Sequence, residues 1–417
     1  MLIEAALLDA TDVPFRVTSL TLDDPGPDEV LVRLSASGVC ASDAHTRSGH
    51  TPSPLPAVLG HEGAGVVEAV GQNVHHVAPG DHVALSWMPN CGHCRHCVAG
   101  RPVLCTAAAP ALLAGTMLDG TTRLHDGDRP VHHYSFLSTF ATHTVVPANS
   151  AVRIPRDVPL ALAALVGCAV LTGYGAAVNR AGIRPGQTVV VFGAGGVGLS
   201  AVLGARQAGA AQVIVVDPVP EKGATAIAFG ATSVLVPSDD VAAQVVALTG
   251  GDGADVAIDA VGAPGILETA FHATVPGATI VCVGVPGPGA RHSVPGAEFV
   301  RSERVITGSL YGSSRPSVDI PAILDLHARG RLPLERLVSR TYTLGGINEA
   351  FDDLATGRLN RGVLVFDEAT AWGGPASTSA ATTGAASNSA APTSVATAAA
   401  TAGTPPITTP AREEVVA

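Results

Sequence analysis

Four cysteines crowd into one short stretch, Cys91-Gly92-His93-Cys94-Arg95-His96-Cys97 followed by Cys105. Four thiolates at that spacing can wrap one tetrahedral Zn²⁺ with sulfur at about 2.3 Å. A shell closed by four sulfurs leaves no open position, so this ion is expected to be structural, with His93 and His96 as lobe residues outside the shell. A second set is scattered: Cys40 in Gly38-Val39-Cys40-Ala41-Ser42-Asp43, His61 in Gly60-His61-Glu62-Gly63, and Cys168 in Gly167-Cys168-Ala169. A catalytic zinc needs three protein ligands and a vacancy, and two thiolates with one neutral imidazole leave the dication formally neutral yet Lewis acidic. Taken singly, the two cysteines also read as small buried hydrophobes and His61 as a satisfied core histidine.

The third signal is Gly193-Ala194-Gly195-Gly196-Val197-Gly198, directly after the apolar run Thr188 to Phe192 and opening a helix. Without side chains the backbone can approach a pyrophosphate at the helix N-terminus. Asp217 ends the next apolar run, where a carboxylate accepts hydrogen bonds from an adenosine ribose and repels a 2′-phosphate. NAD is therefore expected rather than NADP.

These residues need elements to hold them. Before about Val152 the signals are short β runs punctuated by Gly and Pro: Val30 to Leu34, Gly65 to Val70, His82 to Leu85 and Thr142 to Val146. From about Arg184 strand and helix alternate: Thr188 to Phe192, a helix through Gly198 to Ala208, and Val213 to Val216, with further runs at Ser233 to Val236, Val256 to Ile258 and Thr279 to Val283. Buried, Val-rich strands alternating with helices predict an α/β doubly wound parallel sheet of Rossmann type beside an irregular, mostly β domain. A helix at Ile320 to Arg329 and a strand at Gly362 to Phe366 are expected to return to the first domain. The expected domains are 1–169 with 310–368, 170–309, and a low-complexity tail at 369–417 rich in Ala, Thr, Ser, Pro and Gly, read as disordered and without function.

At 417 residues and 47% hydrophobic the chain can bury a sizeable core, and its net charge of −11 gives no footprint for nucleic acid or an anionic membrane. No uninterrupted apolar run approaches about 18 residues, so neither a membrane span nor a signal peptide is expected. Seven cysteines in a chain expected to be cytoplasmic read better as metal ligands than as disulfides. Cys282, outside both cysteine groups, is expected to be a buried apolar residue.

Gly60-His61-Glu62, the Gly38-Val39-Cys40 loop, the cysteine quartet and the glycine fingerprint together resemble the zinc-containing medium-chain alcohol dehydrogenases over about residues 1–368. Stretches such as Gly115-Thr116-Met117-Leu118-Asp119-Gly120-Thr121 and Ser138-Thr139-Phe140 are most similar to the animal and class III type branch. The resemblance implies a GroES-like catalytic domain, two zinc ions per chain and a homodimer joined through coenzyme-domain edge strands, a tetramer being the other assembly.

It also implies roles by position. Cys40, His61 and Cys168 would hold the catalytic zinc, with Asp43 orienting His61 and Glu62 behind the metal. Ser42 would take the proton from the alcohol and His45 pass it through the nicotinamide ribose to solvent. Lys222 would touch the adenosine ribose, Arg361 the pyrophosphate, and Val285 the coenzyme side of a pocket walled by Trp87 and Tyr134. On the bare residues, Ser42 and Asp43 could instead simply cap a helix. Ala41 stands where many relatives carry a basic pyrophosphate contact, which predicts weaker coenzyme binding.

The function expected is hydride transfer between NAD and a small or medium primary alcohol or aldehyde. Oxidation of a formaldehyde–thiol adduct is the nearest alternative, although the pocket segment shows no clear basic cluster for an acidic thiol. A non-catalytic NAD-binding sensor and a zinc-free quinone reductase are the others.

Overall fold

The computed structural model describes residues 1–287, 289–357 and 359–372. A six-stranded sheet, parallel throughout, runs in the order Ser233–Leu235, Gln212–Val216, Thr188–Phe192, Ala254–Asp259, Thr274–Cys282, Val305–Gly308. Its central strand carries Val189, Val190 and Val191 with no exposure, because helices cover both faces and favour β-branched residues on each side. Strand order reverses beside Thr188–Phe192, and the crevice at such a switch point is where doubly wound sheets bind ligands.

The expected strands recur, several with longer bounds, since backbone pairing extends beyond the apolar run that signals it, while His82–Leu85 and Thr188–Phe192 keep theirs and Ser233–Leu235 is one residue shorter. Gly65 to Val70 becomes Gly63–Val70, Val256 to Ile258 becomes Ala254–Asp259, and the run at Thr279 starts at Thr274. The helix after the fingerprint spans Gly196–Gln207 and the later one Pro316–Ala328. Sequence pattern missed the edge strand Val305–Gly308, whose residues are half-buried or exposed.

The other half is β-rich. A small closed barrel joins Leu2–Leu8, Arg16–Leu22, Leu124–Asp126, Arg129–His133 and Ala57–Val58. Beside it a seven-stranded sheet centres on Glu29–Val39, which pairs antiparallel with Gly63–Val70, His143–Pro147 and the returning Arg361–Val365. Arg361–Val365 thereby lies directly alongside the strand that ends at Cys40.

Leu160–Ala181 forms one continuous apolar helix that is long and hydrophobic enough to cross a membrane. Thr172, Asn179 and Arg180 interrupt its apolar run, so no unbroken stretch of about 18 apolar residues occurs here, yet the mean hydropathy still reaches 1.9. Most of its surface is buried inside the fold, which is the signature of a core helix. The first residues of the expected tail are also structured. Glu368–Ala371 is a short helix capped by Asp367, Thr370 Oγ1 lies 2.7 Å from Ser35 Oγ, and Ala371 is buried. Residues 373–417 lie outside the described residues.

Candidate active site

Cys40 ends the Glu29–Val39 strand and is the N-cap of helix Ala41–Arg47. The Asp43 side chain turns back to this end, its Oδ2 accepting the Cys40 N–H at 3.2 Å. Its Oδ1 accepts the Gly60 N–H at 3.1 Å and lies 3.0 Å from His61 Nδ1. One buried carboxylate thus caps the helix and fixes the imidazole, so the two readings open for Asp43 both hold. With Nδ1 committed, Nε2 of His61 is left to face the thiols.

Cys168 comes from the core helix, where the coil widens to a π-helical turn at Val166–Val170. Cys40, His61, Glu62 and Cys168 bring their donor atoms within 4.8 Å of one another, all four buried. In the bare cluster the Cys168 thiol donates toward Cys40 and, with Arg361 and His61 nearby, pushes the Cys40 thiol well down against the effect of burial. Cys168 is pushed up by that same bond and by burial. Burial would discharge His61, yet the Asp43 carboxylate outweighs it and holds the imidazole well above its ordinary value. Burial pushes Glu62 up to about 7 even though Arg361 opposes it. The Arg361 Nη2 lies 3.4 Å from Glu62 Oε1, near enough for charge attraction but out of line for a hydrogen bond, so both Glu62 oxygens are buried without a hydrogen-bond partner. Two thiols, an imidazole and an unpartnered carboxylate converging in a buried site form a donor set that fits zinc.

The quartet Cys91, Cys94, Cys97 and Cys105 also converges within 4.8 Å, and none of its members is in a disulfide. Sulfur separations are 3.5 Å for Cys94–Cys97 and 4.0 Å for Cys91–Cys97. A tetrahedron with sulfur about 2.3 Å from its centre has edges of about 3.8 Å. Backbone N–H groups point at the sulfurs, Cys94 N to Cys91 Sγ at 3.3 Å and Cys91 N to Cys105 Sγ at 3.4 Å. Such bonds, from the Cys97 and Thr106 amides first, hold the Cys94 thiol down at about 5. His93 instead bonds the Cys91 carbonyl and His96 accepts from Arg95, so neither joins the shell.

A cleft of about 860 Å³ connects the first cluster to the parallel sheet. Cys40, His61 and Cys168 open onto it from one side, Gly195, Gly196, Val197 and Gly198 from the other, and Ser42, His45, Trp87, Tyr134, Lys222, Val285 and Arg361 line it too. Gly193, Asp43, Glu62 and Asp217 stand behind the lining. A Cβ on Gly198 would sit 1.8 Å from the Gly193 carbonyl oxygen, so only glycine permits the turn. Asp217 accepts N–H groups from Ala194 at 2.6 Å and Val219 at 2.9 Å, tying the strand end to the glycine loop. Arg361 Nε occupies the space where a side chain on Gly196 would start, 2.4 Å from the ideal Cβ, so one guanidinium spans from the glycine loop to Glu62.

Ser42 Oγ is 3.8 Å from Cys40 Sγ. Among the described residues no hydrogen bond joins Ser42 to His45, so a proton passing between them needs a bridging hydroxyl. Burial and the neighbouring His50, its ring 5.1 Å away, lower the His45 value. Tyr134 packs edge-on to His61 with ring centroids 5.7 Å apart, its hydroxyl held by Thr46 at 3.1 Å.

Sequence reasoning missed Tyr311. This buried ring stacks 4.6 Å from Trp87, and its hydroxyl bonds the Gly167 carbonyl next to Cys168. Its positive φ of 52° leaves no mark in composition. Leu104, Thr172 and Leu310 line the cleft as well. Cys282, expected to be a buried core residue, is half-buried on the cleft wall, because its strand ends at the crevice.

Two family descriptions match the chain, "Alcohol dehydrogenase GroES-like domain" over residues 26–156 and "Zinc-binding dehydrogenase" over 196–329. A geraniol dehydrogenase of Castellaniella defragrans is 40% identical over 367 residues, spanning 87% of this chain and 97% of that protein. An S-(hydroxymethyl)glutathione dehydrogenase of Saccharomyces cerevisiae is 37% identical, spanning 85% of this chain and 94% of that protein. Among solved structures, the benzyl alcohol dehydrogenase of Acinetobacter calcoaceticus superposes with a TM-score of 0.84 at 34% identity, spanning 88% of this chain and 99% of that one.

Proposed function

The chain belongs to the zinc-binding alcohol dehydrogenases, and on that premise we propose that it transfers hydride between NAD and a small or medium primary alcohol or its aldehyde. The observation that carries the reading is the single cleft shared by Cys40, His61, Cys168 and the glycine loop. In this reading residues 170–309 bind the coenzyme, and 1–169 with 310–368 hold metal and substrate.

Cys40, His61 and Cys168 would hold a catalytic zinc, and the cysteine quartet a structural one. When bound, the catalytic ion supplies Lewis acidity that makes an alcohol hydroxyl far easier to deprotonate near neutral pH. Asp43 keeps Nε2 of His61 free as a ligand atom by binding Nδ1. Ser42 Oγ accepts the substrate hydroxyl proton, and His45, whose value burial and His50 lower, passes it outward. Trp87 and Tyr311 wall the cleft with stacked apolar surface, which excludes water and favours slim, apolar substrates. Arg361, lying against Gly196 and 3.4 Å from Glu62, would contact the pyrophosphate of a bound coenzyme.

NAD is preferred over NADP because the Asp217 carboxylate stands beside the glycine loop. The edge strand Val305–Gly308 would pair with its copy in a homodimer, and we place the enzyme in the cytoplasm.

The test is a panel of ethanol, benzyl alcohol and thiol-trapped formaldehyde, each with NAD and with NADP. Zinc-dependent turnover with NAD is expected on at least one free alcohol. Turnover confined to the thiol adduct would move the assignment to that reaction, and no turnover on any would refute both.

A further inference from the structure

We propose that Tyr311 is a positioning residue for Cys168: its hydroxyl holds the carbonyl of Gly167 and thereby fixes the π-helical turn that aims the Cys168 sulfur at Cys40 and His61. The role deepens the dehydrogenase reading above, on which Cys168 is a ligand of the catalytic metal.

The last strand of the parallel sheet ends at Gly308, and the chain then turns back onto the core helix. Tyr311, Gly312 and Ser313 all have positive φ, at 52°, 66° and 50°. Left-handed backbone is costly for tyrosine and serine, and such residues persist only where the surrounding structure over-determines them. Here the core helix supplies that structure. The Tyr311 hydroxyl donates to the Gly167 carbonyl, with Ser86 Oγ at 3.4 Å and the Trp87 amide also beside it. A Cβ on Gly312 would collide with the Leu171 carbonyl, and Asn179 Nδ2 donates to the Gly312 carbonyl at 3.4 Å. The turn is thus clasped to the helix both before and after Cys168.

A π-helical turn holds one residue more than an α-helical one, and one residue corresponds to about 100° of rotation about the helix axis. Slipping Val166–Val170 to α-helical register would therefore swing the Cys168 sulfur away from the other donors. Gly167 admits no side chain, because a Cβ there would meet the Leu85 carbonyl, so the turn is pinned between strand His82–Leu85 and the Tyr311 hydroxyl. Tyr311 and Gly167 are both buried, and losing the hydroxyl leaves a buried carbonyl without this donor. The same ring stacks on Trp87 with centroids 4.6 Å apart, so one residue sets both a donor of the cluster and a wall of the cleft.

Tyr311→Phe keeps the ring and its stack on Trp87 and removes the hydroxyl alone. The zinc Kd of the catalytic site should rise about tenfold, with the four-cysteine site of the same sample unchanged. With cobalt(II) in the catalytic site, the visible bands should shift, because they report the angles between the sulfur and nitrogen ligands. The kcat should fall while KM for benzyl alcohol stays near that of the wild type. Tyr311→Met removes hydroxyl and ring together, and should add a raised KM to the same loss of metal affinity. Ser86→Ala, which leaves the bond to Gly167 in place, should match the wild type in zinc affinity and cobalt spectrum. Unchanged zinc affinity and cobalt bands in both Tyr311 variants, with only Tm lowered, would overturn the role, and so would a Ser86→Ala spectrum altered as much as that of Tyr311→Phe. A wild type that binds no metal at Cys40, His61 and Cys168 would instead strike the dehydrogenase reading.

Discussion

Asp43 Oδ1 lies 3.0 Å from His61 Nδ1 inside a site where Asp43 has no exposure. The same side chain holds the Cys40 amide and the Gly60 amide, so two of the converging donor residues, from different elements, are aligned by one carboxylate. Asp43→Asn would set an amide N–H against one of these donors and release the tautomer of His61. Zinc affinity of the catalytic site should fall about 10- to 100-fold, with the four-cysteine site unaffected. Chelator competition with metal counting checks this, and undiminished affinity at the first site would contradict it.

Ala41 is exposed on the cleft as the first residue of the helix that carries Ser42 and His45. An arginine there could add a charge-assisted contact to the pyrophosphate that this chain lacks. The Kd for NAD of Ala41→Arg should drop about tenfold, mostly through slower release. Direct measurement of NAD dissociation tests it, and an unchanged affinity would sink the explanation.

Lys222 is the sole lysine of the chain and lines the coenzyme side of the cleft. An amine-selective acylating reagent can therefore mark only Lys222 and the Met1 amino group, which is held at the Leu22 carbonyl on the barrel. Saturating NAD should protect Lys222 and leave Met1 labelling unchanged, with NADP protecting far less because of Asp217. Equal protection by both coenzymes would contradict the NAD assignment.

His133 is buried, its Nε2 accepting the Arg123 N–H at 3.0 Å, and burial lowers its value to about 3. Its unfolded-state value is about 6.5. Between these two the unfolded chain binds a proton that the folded chain refuses, so this residue makes stability fall as pH drops from about 6.5 toward 3. His133→Gln, which keeps an acceptor but cannot titrate, should show a flatter decline in Tm over that window. An equally steep decline would exclude His133 as a source of acid sensitivity.

Most of the parallel sheet and the convergence of the cysteine quartet are legible because their signals are local. Val-rich runs between glycine turns define buried strands, and the spacing of Cys91, Cys94, Cys97 and Cys105 is itself a ligand geometry. Cys40, His61 and Cys168 are different, since no local pattern says that a strand end, a loop and a π-turn converge. Only resemblance joined them. Tyr311 stayed hidden because its neighbours come from distant segments, and the edge strand Val305–Gly308 because half-exposed strands carry a diluted apolar signal.

Cys40, His61 and Cys168 are proposed to hold a zinc ion that the reaction requires. The most direct measurement counts zinc in the wild type and in Cys40→Ser, with alcohol turnover and Lys222 protection by NAD followed on the same samples. About two zinc ions per chain are expected in the wild type, with loss of one of them together with turnover in Cys40→Ser, and coenzyme protection retained in both. A Cys40→Ser enzyme that keeps full turnover, or an active wild type without zinc, would contradict it.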